Sequence, residues 1–357
     1  MFALDASSAA EPYFDQERRA GHVCGPLHGL PLLLKDNIGT TELPTTAGSI
    51  ALEGSVPKQD AFLTARLRKA GAIVLGKTNL SEFANWVAYG MPNGYSSLGG
   101  QVHNAYTGGD PLGSSAGSGV GGSMAFAAGT FGSETSGSIL APSSINGLVG
   151  VKPTRGLVSR TGVIPLAEGF DTAGPMTRNV ADAAALLTVV AGPDASDPAT
   201  ATARRVDYRR VVTGARSLKG VRLGWSPSYA DGLGTAQARL FRAALATLTG
   251  LGATLVETDD LENSKNAGVA ELGLIPNDFK ANLDHYLTTA VPTPRSGVKS
   301  LVDIVLFNQD HPDKVKYGQD LLIASAAQPG SAEAASASTL GLRTAMGAVI
   351  DNVLSSN

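Results

Sequence analysis

The chain has 357 residues, of which 17% are charged, and a formal net charge of −3. That balance argues against nucleic acid, which calls for a basic patch, and equally against an acidic membrane surface. No apolar run reaches transmembrane length, and Met1-Phe2-Ala3-Leu4-Asp5 lacks the basic start and long apolar core of a signal peptide. Cys24 is the single cysteine, so no intrachain disulfide and no thiolate metal cluster are expected. These facts fit an enzyme of a reducing compartment such as the cytoplasm. They fit a secreted enzyme that has lost its leader almost as well.

In chain order, Glu17 to Gly21 reads as the end of a helix and Leu30 to Leu34 as a buried strand. Asp60 is predicted to cap a helix in which Leu63, Leu67 and Ala70 recur at i, i+4 and i+7. Gly71 stops it, and Ala72 to Leu75 form a short buried strand, giving a βαβ-like unit. Leu80 to Trp86 is predicted helical, and a glycine- and asparagine-rich loop region runs to Gly113. Gly117 to Gly129 is predicted as a tightly packed helix despite its glycines. Asn179 caps the clearest helix, with Asp182 in its first turn and Val180, Ala184, Leu187 and Ala191 on one stripe. Gly192-Pro193 ends it, and Asp194 to Ala203 is a surface loop. Val221 to Trp225, a helix bearing Leu240, Ala244, Leu245 and Leu248, and a strand from Ala253 to Val256 make a second βαβ unit. From Asp278 the pattern is helical, with Phe279, Leu283, Tyr286 and Leu287 on one face. Leu342, Met346, Val349, Ile350 and Val353 form another face near the end. The class is α/β with a helical C-terminal portion.

Three literal motif matches point in different directions. Gly71-Ala72-Ile73-Val74-Leu75-Gly76-Lys77-Thr78 matches the phosphate-binding pattern G-x-x-x-x-G-K-[ST]. Its four intervening residues want to be a strand, and a helix rather than a strand comes before Gly71, so a P-loop nucleotide binder is a remote alternative. Gly117-Ser118-Gly119-Val120-Gly121-Gly122 matches G-x-G-x-x-G without the strand that fingerprint needs, so close helix packing explains the glycines better. Gly113-Ser114-Ser115-Ala116-Gly117 fits the nucleophile elbow G-x-S-x-G, but Pro111 and polar residues stand where its strand belongs.

Another chemistry suits the residues better. A serine hydroxyl is a poor nucleophile unless a base takes its proton, and a neutral lysine can be that base. Burial lowers a lysine pKa; about 3 units of lowering cost roughly 4 kcal/mol. Lys35 follows Leu32-Leu33-Leu34, suitable desolvating neighbours, though the same residue could be a solvated strand-end lysine or a partner of Asp36. Ser114 and Ser138 lie in loops of small residues, which also turn easily for structural reasons alone.

The whole combination resembles the amidase signature family. Gly25-Pro26-Leu27-His28-Gly29-Leu30-Pro31-Leu32-Leu33-Leu34-Lys35-Asp36-Asn37 resembles its lysine segment, and Gly76-Lys77-Thr78-Asn79-Leu80-Ser81-Glu82-Phe83 its next block. Gly113 to Pro142 resembles the signature, and Gly150-Val151-Lys152-Pro153-Thr154-Arg155-Gly156 and Asp171-Thr172-Ala173-Gly174-Pro175-Met176 resemble the blocks that follow. The resemblance implies a central mixed β-sheet covered by helices. It implies one domain over 1–357, with a catalytic core at 25–192 and a helical, substrate-side portion at 225–357. It implies a Ser–Ser–Lys triad: Ser138 as nucleophile, Ser114 as bridging serine on a cis peptide bond, and Lys35 as base. The backbone N–H groups of Thr135, Ser136, Gly137 and Ser138 would hold the oxyanion. The expected substrate is a small-molecule or peptide amide, with no cofactor, no metal, no nucleic acid and no membrane. The chain departs from the family pattern at Glu134, Ser136 and Leu140, where Asp, Gly and Arg are usual. Glu134 with a non-arginine at 140, and Asn93 to Gln101, resemble a peptide-amidase-like branch more than the branch that releases ammonia from glutamine for tRNA charging. Family members start earlier and run on further, so truncation at both ends is expected, and an inactive or truncated member is the alternative.

Overall fold

The computed structural model describes residues 3–4, 10–214, 217–258, 265–290, 294 and 296–356. They form two compact units, residues 1–209 with 275–332, and residues 210–274 with 333–357.

The first unit is an α/β body around a mixed sheet. Strands β1 (Ala3–Leu4), β2 (Pro31–Lys35) and β3 (Ile73–Thr78) are followed by a small hairpin, β4 (Tyr95–Ser96) with β5 (Gly100–Gln101). Then come β6 (Gly129–Glu134), β7 (Val149–Gly150) and β8 (Thr172–Thr177). Apart from the hairpin, the sheet order is β1-β3-β2-β6-β8-β7. β2 is parallel to both β3 and β6, whereas β8 is antiparallel to β6 and β7, and β1 to β3. The parallel register Leu34↔Phe131 brings the carboxyl ends of β2 and β6 to the same edge. Ligand sites of open α/β sheets commonly lie beyond the carboxyl ends of strands.

Local chemistry explains where elements start and stop. The Phe62–Lys69 helix buries Leu63 and Leu67, and Gly71 follows it at φ +90, a conformation that only glycine adopts easily. Asp60 does not cap this helix. Ala61 holds that position, and the Asp60 carboxylate instead accepts from the Thr41 N–H at 2.9 Å and meets Arg68 at 3.0 Å. β3 runs on to Thr78, further than predicted, because the next residues are also buried in the sheet. The predicted helix over Leu80 to Trp86 is a left-handed turn, with φ of +45, +58 and +73 at Phe83, Ala84 and Asn85. Tertiary contacts override propensity there: the Phe83 N–H donates to Ala47 O at 3.0 Å, and its ring meets Phe279 edge-on at 5.7 Å. The helix predicted over Gly117 to Gly129 spans Ala116–Ser123. Ala125 turns left-handed and the Phe126 N–H returns to Gly121 O at 3.0 Å, so a Schellman cap closes the helix before β6 begins. Asn179 caps the Val180–Val190 helix through the Asp182 N–H at 2.8 Å. Ala184, Leu187 and Ala191 of the predicted stripe are buried together with Ala183, Leu186 and Val190, while Val180 is exposed.

Two apolar cores hold this unit. One packs Leu32, Leu34, Val74 and Phe131 of the sheet against Leu63, Leu67, Leu187 and Val190 of the helices. The other joins Phe83, Trp86 and Ile164 to the predicted face Phe279, Leu283, Tyr286 and Leu287, with Leu301 and Ile304. The second unit holds parallel strands β9 (Arg222–Trp225) and β10 (Thr254–Glu257) with the Thr235–Gly250 helix between them in sequence, the βαβ order predicted.

Candidate active site

Lys35 is the last residue of β2 and is fully buried. Its Nζ contacts Ser114 Oγ at 2.7 Å, Ser133 Oγ at 2.9 Å and Ser133 O at 3.2 Å. Burial lowers its pKa to about 7, against the opposing pull of the Asp171 and Glu134 carboxylates. It does not pair with Asp36. Backbone alternation turns Asp36 to the other side, where it meets the equally buried Lys77 at 3.1 Å and accepts from the Thr46 hydroxyl. Lys77 also donates to Thr45 Oγ1 at 2.8 Å and Pro44 O at 3.1 Å. The lysine of the phosphate-binding pattern is therefore a strand residue in a buried ion pair, and its glycine and threonine neighbours lie in the same strand, where no loop can wrap a phosphate.

Ser114 is buried and follows a cis peptide bond from Gly113. Its carbonyl accepts from the Ser81 N–H at 3.0 Å. The next N–H, of Ser115, donates to Ser138 O at 3.1 Å, which ties the two serine loops together. Ser115 Oγ donates to Ser133 O at 3.1 Å. The Ala116–Ser123 helix that follows lies against the strand-end backbone: a Cβ on Gly117 would stand 2.4 Å from Asn79 O. The glycines of the G-x-G-x-x-G match thus permit helix packing.

Ser138 sits one turn beyond β6, is almost wholly buried, and its hydroxyl has no hydrogen-bond partner among the described residues. Glu134, at the end of β6, holds this loop from within. Its Oε2 accepts from the N–H groups of Ile139 at 2.6 Å and Leu140 at 2.9 Å. Leu140 is exposed, and Glu134 fixes the loop through its backbone. Among the described residues, the N–H groups of Ser136, Gly137 and Ser138 donate to no protein acceptor, and Gly137 is left-handed at φ +84. Backbone N–H groups without a protein acceptor are available to an oxygen from elsewhere.

Beside Ser133, already met at the Lys35 amine, two further groups were not singled out by sequence. Asp171 accepts from Thr135 Oγ1 at 2.5 Å and from the Leu166 and Ala167 N–H groups at 2.8 and 3.0 Å, and burial raises its pKa to about 6. Asn37 donates from Nδ2 to Ser133 Oγ at 2.8 Å. Both residues fall within the blocks that carry the family resemblance, where no role was given to either. Among the described residues no group of His, Cys, Asp or Glu is placed to hold a metal ion, and no helix is long and apolar enough to cross a membrane.

Comparison with known proteins gives a consistent picture. The family model described as Amidase matches residues 1–327. A protein of Arabidopsis thaliana named as a probable amidase is 39% identical over 316 residues, covering 86% of this chain and 60% of its own length. The A subunit of the glutamyl-tRNA(Gln) amidotransferase from Salinispora arenicola is 42% identical over 294 residues, covering 80% of this chain and 57% of its own. Among solved structures, the peptide amidase of Stenotrophomonas maltophilia superposes with a TM-score of 0.87 at 43% identity, over 95% of this chain and 69% of that one. The chain thus spans somewhat over half the length of these curated relatives.

Proposed function

This chain belongs to the amidase family, and on that premise we propose that it hydrolyses carboxamides by acyl transfer to Ser138, with Ser114 and Lys35 as the relay that activates it. The observation that carries this reading is the 2.7 Å contact between Ser114 Oγ and a fully buried Lys35 whose pKa lies at about 7. Such an amine is substantially neutral at neutral pH and has a lone pair available.

In the proposed cycle, neutral Lys35 takes the Ser114 proton as Ser114 takes the proton of Ser138. Ser138 Oγ attacks the amide carbon, and the carbonyl π pair moves onto oxygen. The N–H groups of Thr135, Ser136, Gly137 and Ser138 hold that oxyanion. As the C–N bond breaks, Ser114 passes a proton to the leaving nitrogen and is reprotonated from Lys35. Water then attacks the acyl-enzyme along the same relay, releasing a carboxylic acid and restoring Ser138. Catalytic hydrogen bonds often form fully only with substrate bound, and in the proposed cycle the Ser114–Ser138 hydroxyl contact is made at that stage.

The substrate class proposed is a small-molecule amide or the C-terminal amide of a peptide. Similarity to the Stenotrophomonas peptide amidase supports it, as does the Glu134-supported loop with leucine at 140. The comparable similarity to a tRNA-dependent amidotransferase makes glutamine the competing substrate to include. A panel of aliphatic, aryl, peptide-terminal and glutamine amides, read by ammonia release, tests the proposal. Ser138→Ala, Ser114→Ala and Lys35→Ala are each expected to reduce turnover by about 10³-fold or more, as removal of any member of a relay does. Turnover in Ser138→Ala equal to that of the unaltered chain would refute the assignment, and no turnover of any amide by the unaltered chain would leave a catalytically idle family member.

A further inference from the structure

Asn37 is buried beside the relay without touching either serine of it. Its amide orientation is fixed by two acceptors: Nδ2 donates to Ser133 Oγ at 2.8 Å and faces the Ile164 carbonyl at 3.5 Å. A flipped amide would set oxygen against that carbonyl. Asn37 Oδ1 is buried and has no donor among the described residues. Asn37 and Ser133 both line a cavity of about 30 Å³ shared with Thr135 and Asp171; its lining mixes polar and apolar groups, and it has room for a water molecule at its polar side. We propose that Asn37 is a positioning residue, which acts through Ser133 and one water in that cavity to turn the Lys35 lone pair toward Ser114. The proposal rests on the relay described above.

Hydrogen accounting leads to it. A neutral lysine has two N–H donors and one lone pair. Lys35 has three neighbours, and the Ser133 carbonyl can only accept, so it takes one N–H. The other N–H and the lone pair are left for Ser114 Oγ and Ser133 Oγ. The productive arrangement sends the lone pair to Ser114 and the N–H to Ser133. The idle arrangement does the reverse, with the Ser133 hydroxyl capping the lone pair. In the productive case Ser133 Oγ accepts from both Lys35 and Asn37, filling its two acceptor sites, and its own proton must leave the pair. The Ser133 hydroxyl donates a hydrogen bond to the cavity water, which donates one to Asn37 Oδ1, so the Ser133 hydroxyl and the orphaned Asn37 oxygen both gain a partner. Without Asn37, Ser133 loses both this donor and the anchored water, and its hydroxyl falls back onto Lys35.

A double-mutant cycle tests the idea. Asn37→Leu is expected to lower kcat about tenfold or more with KM changed less than about twofold, the pattern of a lost transition-state contribution. Ser133→Ala removes the competing hydroxyl and is expected to lose less than Asn37→Leu. In the Ser133→Ala background, Asn37→Leu is expected to cost less than about twofold further, because its only route to Lys35 is gone. Asn37→Asp, closest in shape, covers the case in which the leucine variant does not fold. Its carboxylate accepts the Ser133 proton directly and keeps the productive arrangement. It also adds a charge to those of Asp171 and Glu134 facing Lys35, so the acidic limb of the kcat/KM profile is expected to move to higher pH with most of kcat retained. An Asn37→Leu loss that persists in full in the Ser133→Ala background, a Ser133→Ala loss as deep as that of Lys35→Ala, or an unshifted acidic limb in Asn37→Asp each overturns the proposal. Lys35→Ala separates the two readings: full turnover in it sinks the relay itself, whereas an inactive Lys35→Ala beside any of those outcomes sinks only the role of Asn37.

Discussion

Lys35 spends its working life in an environment that penalises its charge, and two consequences can be measured. The first is catalytic. With a pKa of about 7, Lys35, the proposed base, is increasingly protonated below neutrality, so kcat/KM is expected to fall about tenfold per unit on the acid side of pH 7 and to level off above it. A pH profile on any active amide checks this. The second is thermodynamic. The folded value of about 7 lies below the ordinary lysine value of 10.5, so between these pH values the unfolded chain binds a proton that the folded chain does not. Stability from this group is therefore complete above the higher value and is lost as pH falls toward the lower, with a slope of at most about 1.4 kcal/mol per pH unit. Urea midpoints at several pH values from 7 to 10 are expected to rise less steeply with pH in Lys35→Met than in the unaltered chain; equal slopes would mean that Lys35 is not desolvated. Asp171 carries the opposite sign: its carboxyl is raised to about 6 by burial, so its ionisation costs stability as pH rises through the window between its ordinary value and 6. Of these residues, Lys35, Ser114 and Ser138 were named from the sequence through the resemblance to the amidase signature family, because their chemistry alone left a solvated lysine and structural loop serines open. Asn37, Ser133 and Asp171 were not, because their contributions depend on where a single hydrogen points.

The loop from β6 into the Leu140–Ile145 helix is where one element controls chemistry in another. Glu134 is anchored in the sheet and reaches past the loop to hold the Ile139 and Leu140 N–H groups, just beyond Ser138. Charge-assisted bonds to backbone N–H groups are stronger than neutral ones, and a buried N–H left without a partner costs more still. Glu134→Ala is expected to lower stability by about 2–3 kcal/mol, and to lower kcat more than it raises KM. Chemical denaturation and steady-state kinetics on the same preparation check both. Elements with strong local signals stood where the sequence put them: Asn179 caps its helix, and Gly71 ends one. Asn179→Ala is expected to cost about 1 kcal/mol by the same denaturation measurement. The failures share a cause. Asp60 carries the chemistry of a cap but is drawn to Thr41 and Arg68, which lie far away in sequence or on the far turn of the helix. Residues 83–85 carry helical propensity but are pulled into a left-handed turn by Ala47 and Phe279. Local pattern cannot register partners supplied by distant segments.

At the scale of the molecule, the active-site candidates all lie in the unit that holds the mixed sheet, at the shared carboxyl edge of β2 and β6. That unit recruits the helix bearing Phe279 and Leu283 from well beyond residue 209, and Phe279 meets Phe83 in its second core. Phe279→Ala is expected to cost about 3–5 kcal/mol through the cavity it leaves. The α/β class and both βαβ units could be read from periodicity; the sheet order β1-β3-β2-β6-β8-β7 could not, since nothing local says that β2 takes β6 as its second neighbour. That pairing is what brings Lys35 to Ser133 and sets it facing Ser114. The claim that a buried, uncharged Lys35 drives Ser138 through Ser114 is tested most directly by fluorophosphonate labelling as a function of pH, with the modified residue located by peptide mass spectrometry. Ser138 is expected to carry the label, at a rate that climbs with pH through a midpoint near 7 and collapses in Lys35→Ala. A label on another residue, or a Ser138 rate indifferent to the loss of Lys35, would contradict the account.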